Sequence, residues 1–314
     1  MILTVTLNPA IDKVYEVDSF QVGDVFRPND MWAMAGGKGL NVSRVASILG
    51  GDVVATGFLG GGNGQFIRKR LGKQGIKDAF IEIEGETRIC IAVNDPILDT
   101  STEVLEPGPV ISLSEQEDFL KNFQSLAKGA DIVTMSGSLP DGLPSDYYGR
   151  LIEICRGLGK RVILDTSGET LEKSLLYSPF MIKPNQTELG AITGTPIEDE
   201  TQILSTAHRL QQGGIDLVCI TLGGSGSIVV SKEGAYRLKS PPIETVSAIG
   251  SGDAFVAGCA FAFDKGRTTK DVLKMGMACG MANTQFARTG HVSLELVEKF
   301  YDMITVLEYD KDSL

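Results

Sequence analysis

Gly250-Ser-Gly-Asp253 stands directly before a run of small and apolar residues, Ala254 to Phe263. Consecutive backbone N–H groups at such a helix start form an anion-binding concavity. An aspartate acting only as an N-cap is worth about 1 kcal/mol of helix stability. The same side chain acting as a general base contributes about 10²–10⁴ in rate, or ~3–5 kcal/mol of barrier. Capping accounts for Asp253 but not for the flanking glycines. A phosphoryl group passing to a nearby hydroxyl accounts for both.

Four other stretches carry residues of the same kind. In Ala35-Gly-Gly-Lys-Gly-Leu-Asn41 the glycines around Lys38 let the backbone approach a ligand and aim helix amides at an anion, while Asn41 can bond hydroxyls. A strand-to-helix turn with a solvated lysine has the same spelling. In Phe180-Met-Ile-Lys-Pro-Asn-Gln-Thr-Glu188 the spacing of Asn185 and Glu188 suits a hydrated Mg²⁺, and equally an N-terminal capping box. Val218-Cys-Ile-Thr-Leu-Gly-Gly-Ser-Gly-Ser227 is a Gly-rich hairpin whose free amides suit phosphate or an ordinary turn. Val133-Thr-Met-Ser-Gly-Ser138 ends a buried strand in hydroxyl residues, where parallel α/β sheets bind ligands and where turn chemistry also places serine. Neither the P-loop pattern nor the G-x-G-x-x-G dinucleotide fingerprint is present, which argues against a NAD-linked enzyme.

Composition narrows the class. The 314 residues carry a net charge of −11, with 42% hydrophobic and 22% charged residues. That balance is ordinary for a globular protein and unsuited to broad nucleic-acid or anionic-membrane contact. Five scattered cysteines without a C-x-x-C pair are expected to be buried free thiols, and two histidines make a His-based metal site improbable. The N-terminus lacks a basic region and a long apolar core, and the Ala254–Phe263 run is about half of the ~20 residues that span a bilayer. A cytoplasmic protein is expected.

The elements that must hold these residues follow from periodicity. Short apolar runs at 2–7, 53–58, 132–135, 161–164, 180–182 and 217–221 read as buried strands. Amphipathic stretches at 40–49, 66–71, 115–127, 147–158 and 201–211 read as helices between them, and the chain after Asp253 as nearly all helical. This alternation predicts an α/β fold, a mostly parallel sheet with helices on both faces. Two segments, about 13–35 and 87–106, break it with alternating strands (VYEV, VFRP, RICIAV, TEVLE) and predict a small β lid inserted into a single domain spanning 1–314. The edges of that lid are candidates for a homodimer contact.

Taken together, Gly36-Gly-Lys-Gly-Leu-Asn-Val-Ser-Arg44 and Gly250-Ser-Gly-Asp-Ala-Phe255, with TLNPAID before them, SGSLP between and KPNQTE and TLGGSGS after it, resemble the paired signatures of the ribokinase (PfkB-type) sugar kinases. Within that family the combination is most similar to the ketohexose-phosphate kinases, of the 1-phosphofructokinase and tagatose-6-phosphate kinase type. The resemblance implies a three-layer αβα sandwich with a β lid. It implies that Asp253 is the base, that the amides of Gly250, Ser251 and Gly252 hold the transferring phosphoryl group, and that Lys183, Asn185 and Glu188 serve ATP phosphates and Mg²⁺. By the same resemblance Thr221, Gly223, Gly224, Ser225 and Gly226 cradle the nucleotide, with Asn283 near adenine. Asp12, Gly37 and Asn41 would bind sugar hydroxyls, and Lys38, Arg88, Ser138 and Arg27 the phosphate already on the sugar. Many relatives carry Pro or Thr where Ser247-Ala-Ile249 stands, so the hinge before the base differs here.

The activity so implied is ATP-dependent phosphorylation of tagatose 6-phosphate or fructose 1-phosphate to the 1,6-bisphosphate. A 6-phosphofructokinase, another sugar or nucleoside kinase of the family, and a catalytically silent sugar-phosphate sensor are the alternatives. A sensor would be expected to have lost Asp253 or its glycine loop, and both are intact.

Overall fold

Val- and Ile-rich runs that are apolar at consecutive positions become the buried centre of one large sheet in the computed structural model, which describes residues 1–310. Across it the strands are Thr305–Glu308, Gly234–Lys239, Ser227–Ser231, Leu217–Thr221, Met181–Ile182, Arg161–Asp165, Ile132–Ser136, Ile2–Thr6, Val53–Gly60 and Lys77–Asp78, with Ile81–Ile83 also paired to Val53–Gly60. Neighbours are parallel from Leu217–Thr221 to Lys77–Asp78, and the strands beyond Leu217–Thr221 are antiparallel.

Successive strand residues point to opposite faces, so each central strand feeds two cores. Ile2, Ile163 and Met181 pack on one side, and Leu3, Leu164 and Ile182 on the other. Helices Lys38–Ile48, Gly61–Lys73, Ser251–Asp264, Thr269–Asn283 and Leu294–Met303 close the first core. Helices Leu113–Gly129, Tyr147–Gly157, Gly168–Leu175, Gln186–Thr193 and Glu200–Gln212 close the second. This is the three-layer α/β sandwich expected from the strand–helix alternation. Among the described residues no helix is long and apolar enough to cross a membrane.

A separate four-stranded sheet, in the order Asp30–Gly36, Ala10–Glu16, Arg88–Asp95, Thr100–Leu105, forms the lid. Ala10–Glu16 is antiparallel to Asp30–Gly36 and parallel to Arg88–Asp95, with Ala10 opposite Arg88. Two local expectations change. Val25–Pro28 is not a strand but an exposed irregular segment. Pro28 lacks the N–H a ladder needs, and the pairing strand begins only at Asp30. After the helices that follow Asp253, the chain also returns as a strand, Thr305–Glu308, on the sheet edge.

The fold meets the site at the start of helix Lys38–Ile48, which lies so close to the first strand that a Cβ on Gly39 would come 2.2 Å from Thr6 Oγ1 and 2.7 Å from the Val5 carbonyl. Gly39→Ala is therefore expected to push Lys38 and Asn41 outward and to cost roughly 1–3 kcal/mol of stability. Chemical denaturation alongside an activity assay checks this; an unchanged unfolding midpoint would show that the helix has room to spare.

Candidate active site

The carboxyl ends of the parallel strands open into one cleft of about 1330 Å³ between sheet and lid. Thr6, Ser136, Asp165, Lys183 and Thr221 stand at or just beyond the ends of five of these strands, and all line it. Strand ends are where such sheets leave main-chain groups and side chains uncovered by helices.

Asp253 lies at the cleft floor in the first turn of helix Ser251–Asp264 and is 6% exposed. It is not the cap of this helix. The N-cap is Gly250, in the left-handed region at φ 80, and no side chain caps it. A non-glycine residue is strained at that φ, so the glycine lets the turn present its amides before the acid. The Asp253 carboxyl instead accepts a hydrogen bond at Oδ2 from Asn41 Nδ2, 2.8 Å away. Burial pushes Asp253 up to about 7; the charge of Asp165 adds to the rise, while the Asn41 bond, Lys38 and Lys183 oppose it.

Asp165, at the end of its strand and 2% exposed, was not among the residues expected from the sequence. Lys183 Nζ is 3.4 Å from one of its oxygens and Lys38 Nζ 3.9 Å from the other. This charge raises the Lys38 ammonium above its ordinary value against the opposing effect of burial. Two carboxylates and two ammonium groups thus face each other across the floor, with Lys183 filling the space a Gly252 Cβ would take: that Cβ would come 3.1 Å from Nζ. A strand-end aspartate in Leu-Asp-Thr-Ser carries no spacing signal in one sequence; only the sheet brings it to the lysines.

On the lid side, Asp12, Gly37, Asn41, Arg88 and Ser138 meet at the cleft. The Asp12 carboxyl occupies the space beside Gly36, where a Cβ would lie 2.0 Å from its Cγ. Burial raises this group to about 6, against the lowering effect of Arg44 and Arg88. Arg88 donates to the carbonyls of Glu106 and Asn8, at 2.8 and 2.9 Å, which fixes its guanidinium at the cleft wall. Asn8, buried and also on the wall, donates to Ser138 Oγ and the Pro107 carbonyl.

On the opposite side, Thr221, Gly223, Gly224 and Gly226 line the cleft around a one-turn 3₁₀ helix, Gly223–Ser225. The segment from Ser240 to Ile249 closes that side; of it only the Ser247-Ala-Ile249 hinge was singled out in the sequence. Asn185 and Glu188 form the full reciprocal capping box of helix Gln186–Thr193, Asn185 Oδ1 accepting from the Glu188 amide and Glu188 Oε2 from the Asn185 amide. Both still line the cleft.

Three expected residues are not brought to this cleft. Arg27 is exposed in the irregular lid segment, and Ser225 is exposed and outside the lining. Asn283 is fully buried behind it: its Nδ2 donates to the Ile249 carbonyl at 2.9 Å and its Oδ1 accepts from the His291 amide at 3.2 Å. It anchors the turn leading into Gly250 rather than facing a ligand.

Among the described residues no group of three or more His, Cys, Asp or Glu is placed to hold a metal ion. Glu188 Oε1 and the Asn185 side chain are too few to enclose a cation. They do fit Mg²⁺, which keeps several waters and shares substrate phosphates rather than occupying an all-protein cage.

Known proteins share this fold. The model of the pfkB family carbohydrate kinases matches residues 5–295. A structure from Thermotoga maritima described as a possible 1-phosphofructokinase is 31% identical, with a TM-score of 0.90 over 99% of this chain and 100% of that one. Phosphofructokinase-2 of Escherichia coli in complex with potassium is 26% identical, with a TM-score of 0.91 over 96% of this chain and 98% of that one. The same enzyme in complex with fructose-6-phosphate is 25% identical, with a TM-score of 0.88 over the same shares. With the family model spanning nearly the whole sequence and a buried acid behind a glycine turn at the floor of the cleft, the chain belongs to the pfkB family of carbohydrate kinases.

Proposed function

We propose that this sugar kinase transfers the γ-phosphoryl group of ATP to a ketohexose monophosphate, fructose 1-phosphate or tagatose 6-phosphate, giving the 1,6-bisphosphate. The observation that carries the reading is the Asp253 carboxyl: buried, beside the Gly250–Gly252 amides, with Asn41 bonded to Oδ2 only. That leaves Oδ1 for the acceptor hydroxyl of the sugar. As the hydroxyl oxygen attacks the γ-phosphorus, its proton passes to Oδ1, and the bond from the γ-phosphorus to the bridging oxygen breaks with its electrons going to ADP. The amides of Gly250, Ser251 and Gly252 meet the charge on the transferring group, and Lys183 and Lys38 add fixed positive charge beside it.

The cleft divides at Asp253. The Thr221–Gly226 loop and the Ser240–Ile249 wall fit the nucleotide, while Asp12, Gly37 and Asn41 fit sugar hydroxyls. Arg88, Ser138 and Lys38 suit the phosphate already on the sugar, since the planar fork of Arg grips phosphate at two points. Mg²⁺ held near Asn185 and Glu188 would neutralise charge on the nucleotide phosphates. The lid keeps water from the reacting phosphoryl group. Its exposed Val104 and Leu105, beside an unpaired edge, support a second copy of the chain as a contact.

A second reading, a kinase of fructose 6-phosphate, is favoured by the likeness to phosphofructokinase-2 of Escherichia coli. A coupled ADP-release assay across the three sugar phosphates and free hexoses separates them: the true acceptor is expected to exceed the others in kcat/KM, and turnover on free hexoses alone would overturn both readings. Asp253→Asn is expected to lose turnover by about 10²–10⁴-fold while still binding both substrates; near-normal turnover would remove Asp253 as base. Because the base must be ionised, kcat/KM is expected to fall as pH drops through about 7. Asp165→Asn removes the like charge, so this acid limb should move to lower pH; an upward move would contradict the electrostatic account. Arg88→Ala is expected to raise KM for the sugar phosphate by roughly tenfold or more, with little change in KM for ATP.

A further inference from the structure

Arg44 sits one helical turn after Asn41, on the same face of helix Lys38–Ile48, and is 8% exposed. It is not a lining residue of the catalytic cleft. Its Nη1 donates to Asn41 Oδ1 at 3.0 Å and to the Thr289 carbonyl at 3.0 Å, and its Nη2 donates to the Ala35 carbonyl. Each acceptor belongs to a different part of the site. Ala35 lies in the lid strand Asp30–Gly36, opposite Ile11 and just before Gly36 and Gly37. Thr289 lies in the loop packed against the glycine turn, where a Cβ on Gly250 would come 3.2 Å from its Cβ. Asn41 is the donor to Asp253.

The room for this guanidinium is built in. Gly290 follows Thr289 in a left-handed conformation at φ 61, and a Cβ there would stand 2.6 Å from Arg44 Nη1 and 2.9 Å from Asn41 Cα. Any larger residue would part the two side chains.

The chemistry of the three groups fixes the direction of the chain. A guanidinium only donates and an ionised carboxylate only accepts. An amide held between them must turn its oxygen to Arg44 and its nitrogen to Asp253. If Arg44 were absent, the Asn41 amide could reverse, placing a carbonyl oxygen against the carboxyl and favouring its protonated form. We propose that Arg44 is a positioning residue for the proposed base: it sets the orientation of the Asn41 amide, and so the donor that keeps Asp253 ionised and aimed, and it ties that orientation to the end of the lid strand and to the loop behind the amide turn. The inference rests on Asp253 acting as the base.

Lysine cannot reproduce the arrangement, since one ammonium cannot hold three acceptors in the plane of a fork. Arg44 itself also acts on Asp253 and Asp12 through its charge, which Arg44→Lys keeps; in that variant Asp165, Lys38 and Lys183 still face Asp253, and Arg88 still faces Asp12. The acid limb of kcat/KM for the sugar acceptor therefore reports on the amide–carboxylate bond.

The test compares Arg44→Lys, Arg44→Gln, Asn41→Ala and the double variant Asn41→Ala/Arg44→Lys with the unaltered enzyme and with Asp253→Asn. In Arg44→Lys, kcat is expected to fall by on the order of tenfold to a hundredfold, and the acid limb to move upward by about one pH unit. In the Asn41→Ala background the further Arg44→Lys change should leave the limb where Asn41→Ala alone puts it, because the two act in series. Arg44→Gln also removes the charge that acts directly on Asp253, so its limb is expected to move upward at least as far; it serves should the lysine variant not fold, as judged by thermal unfolding. An unchanged limb in a folded Arg44 variant, or limb shifts that simply add in the double variant, would overturn the proposal. If Asp253→Asn itself keeps turnover, the base assignment fails instead, which is a separate outcome.

Discussion

A carboxyl group held almost out of water is the constraint around which this site is built. Asp253 gains little from solvent, so its charge must be balanced by what surrounds it: one amide donor, two lysines beyond it and a second carboxylate that opposes them. Its proton affinity in the folded chain exceeds the ordinary value of 3.8, so ionising it costs stability, increasingly as pH rises from there to about 7. Such a cost is common where a group is poised for proton transfer near neutral pH. The compensations are specific. Asp165 pins both lysines, Asn41 supplies the donor, and Arg44 keeps that donor facing the acid.

Every other feature serves to bring these few groups together without filling the space between them. Parallel strands end at one edge, so side chains far apart in sequence (Thr6, Ser136, Asp165, Lys183, Thr221) meet along a single line. Glycines mark the places where that convergence is tightest. Gly36 yields to the Asp12 carboxyl, and Gly290 to the Arg44 guanidinium. The lid grows out of the same sheet, with Ala10–Glu16 following the first strand after a short turn and Arg88 entering beside it. Its base is bonded into the cleft wall through Arg88, Asn8 and Ser138. Arg44 bonds both to the lid strand at Ala35 and to Asn41, the donor to Asp253.

The strands and helices of the sandwich were legible because burial on both faces or on one leaves a period in the chain. Asp253 was legible because its glycines had no other explanation, although its expected alternative, a helix cap, is taken by Gly250. Asn185 and Glu188 satisfy the capping geometry and still face the cleft, so one spelling served both readings. Val25–Pro28 read as a strand from its apolar residues, but a strand needs a partner, and Pro28 cannot donate to one. Arg27 and Asn283 were assigned by resemblance; the first is exposed on the lid and the second is spent on two backbone groups.

From the order of its residues alone, this chain determined its layers, the helix start that presents an acid behind a glycine turn, and the short motifs that line the cleft. Those are local matters, set by backbone freedom and by hydrophobic period within about a dozen residues. Which charges face one another was decided by the tertiary structure. Asp165 is 88 residues from Asp253, and Asn41 is separated from it by 212. The electrostatics that sets the proton affinity of the acid falls off over a few ångströms of space and takes no account of distance along the chain.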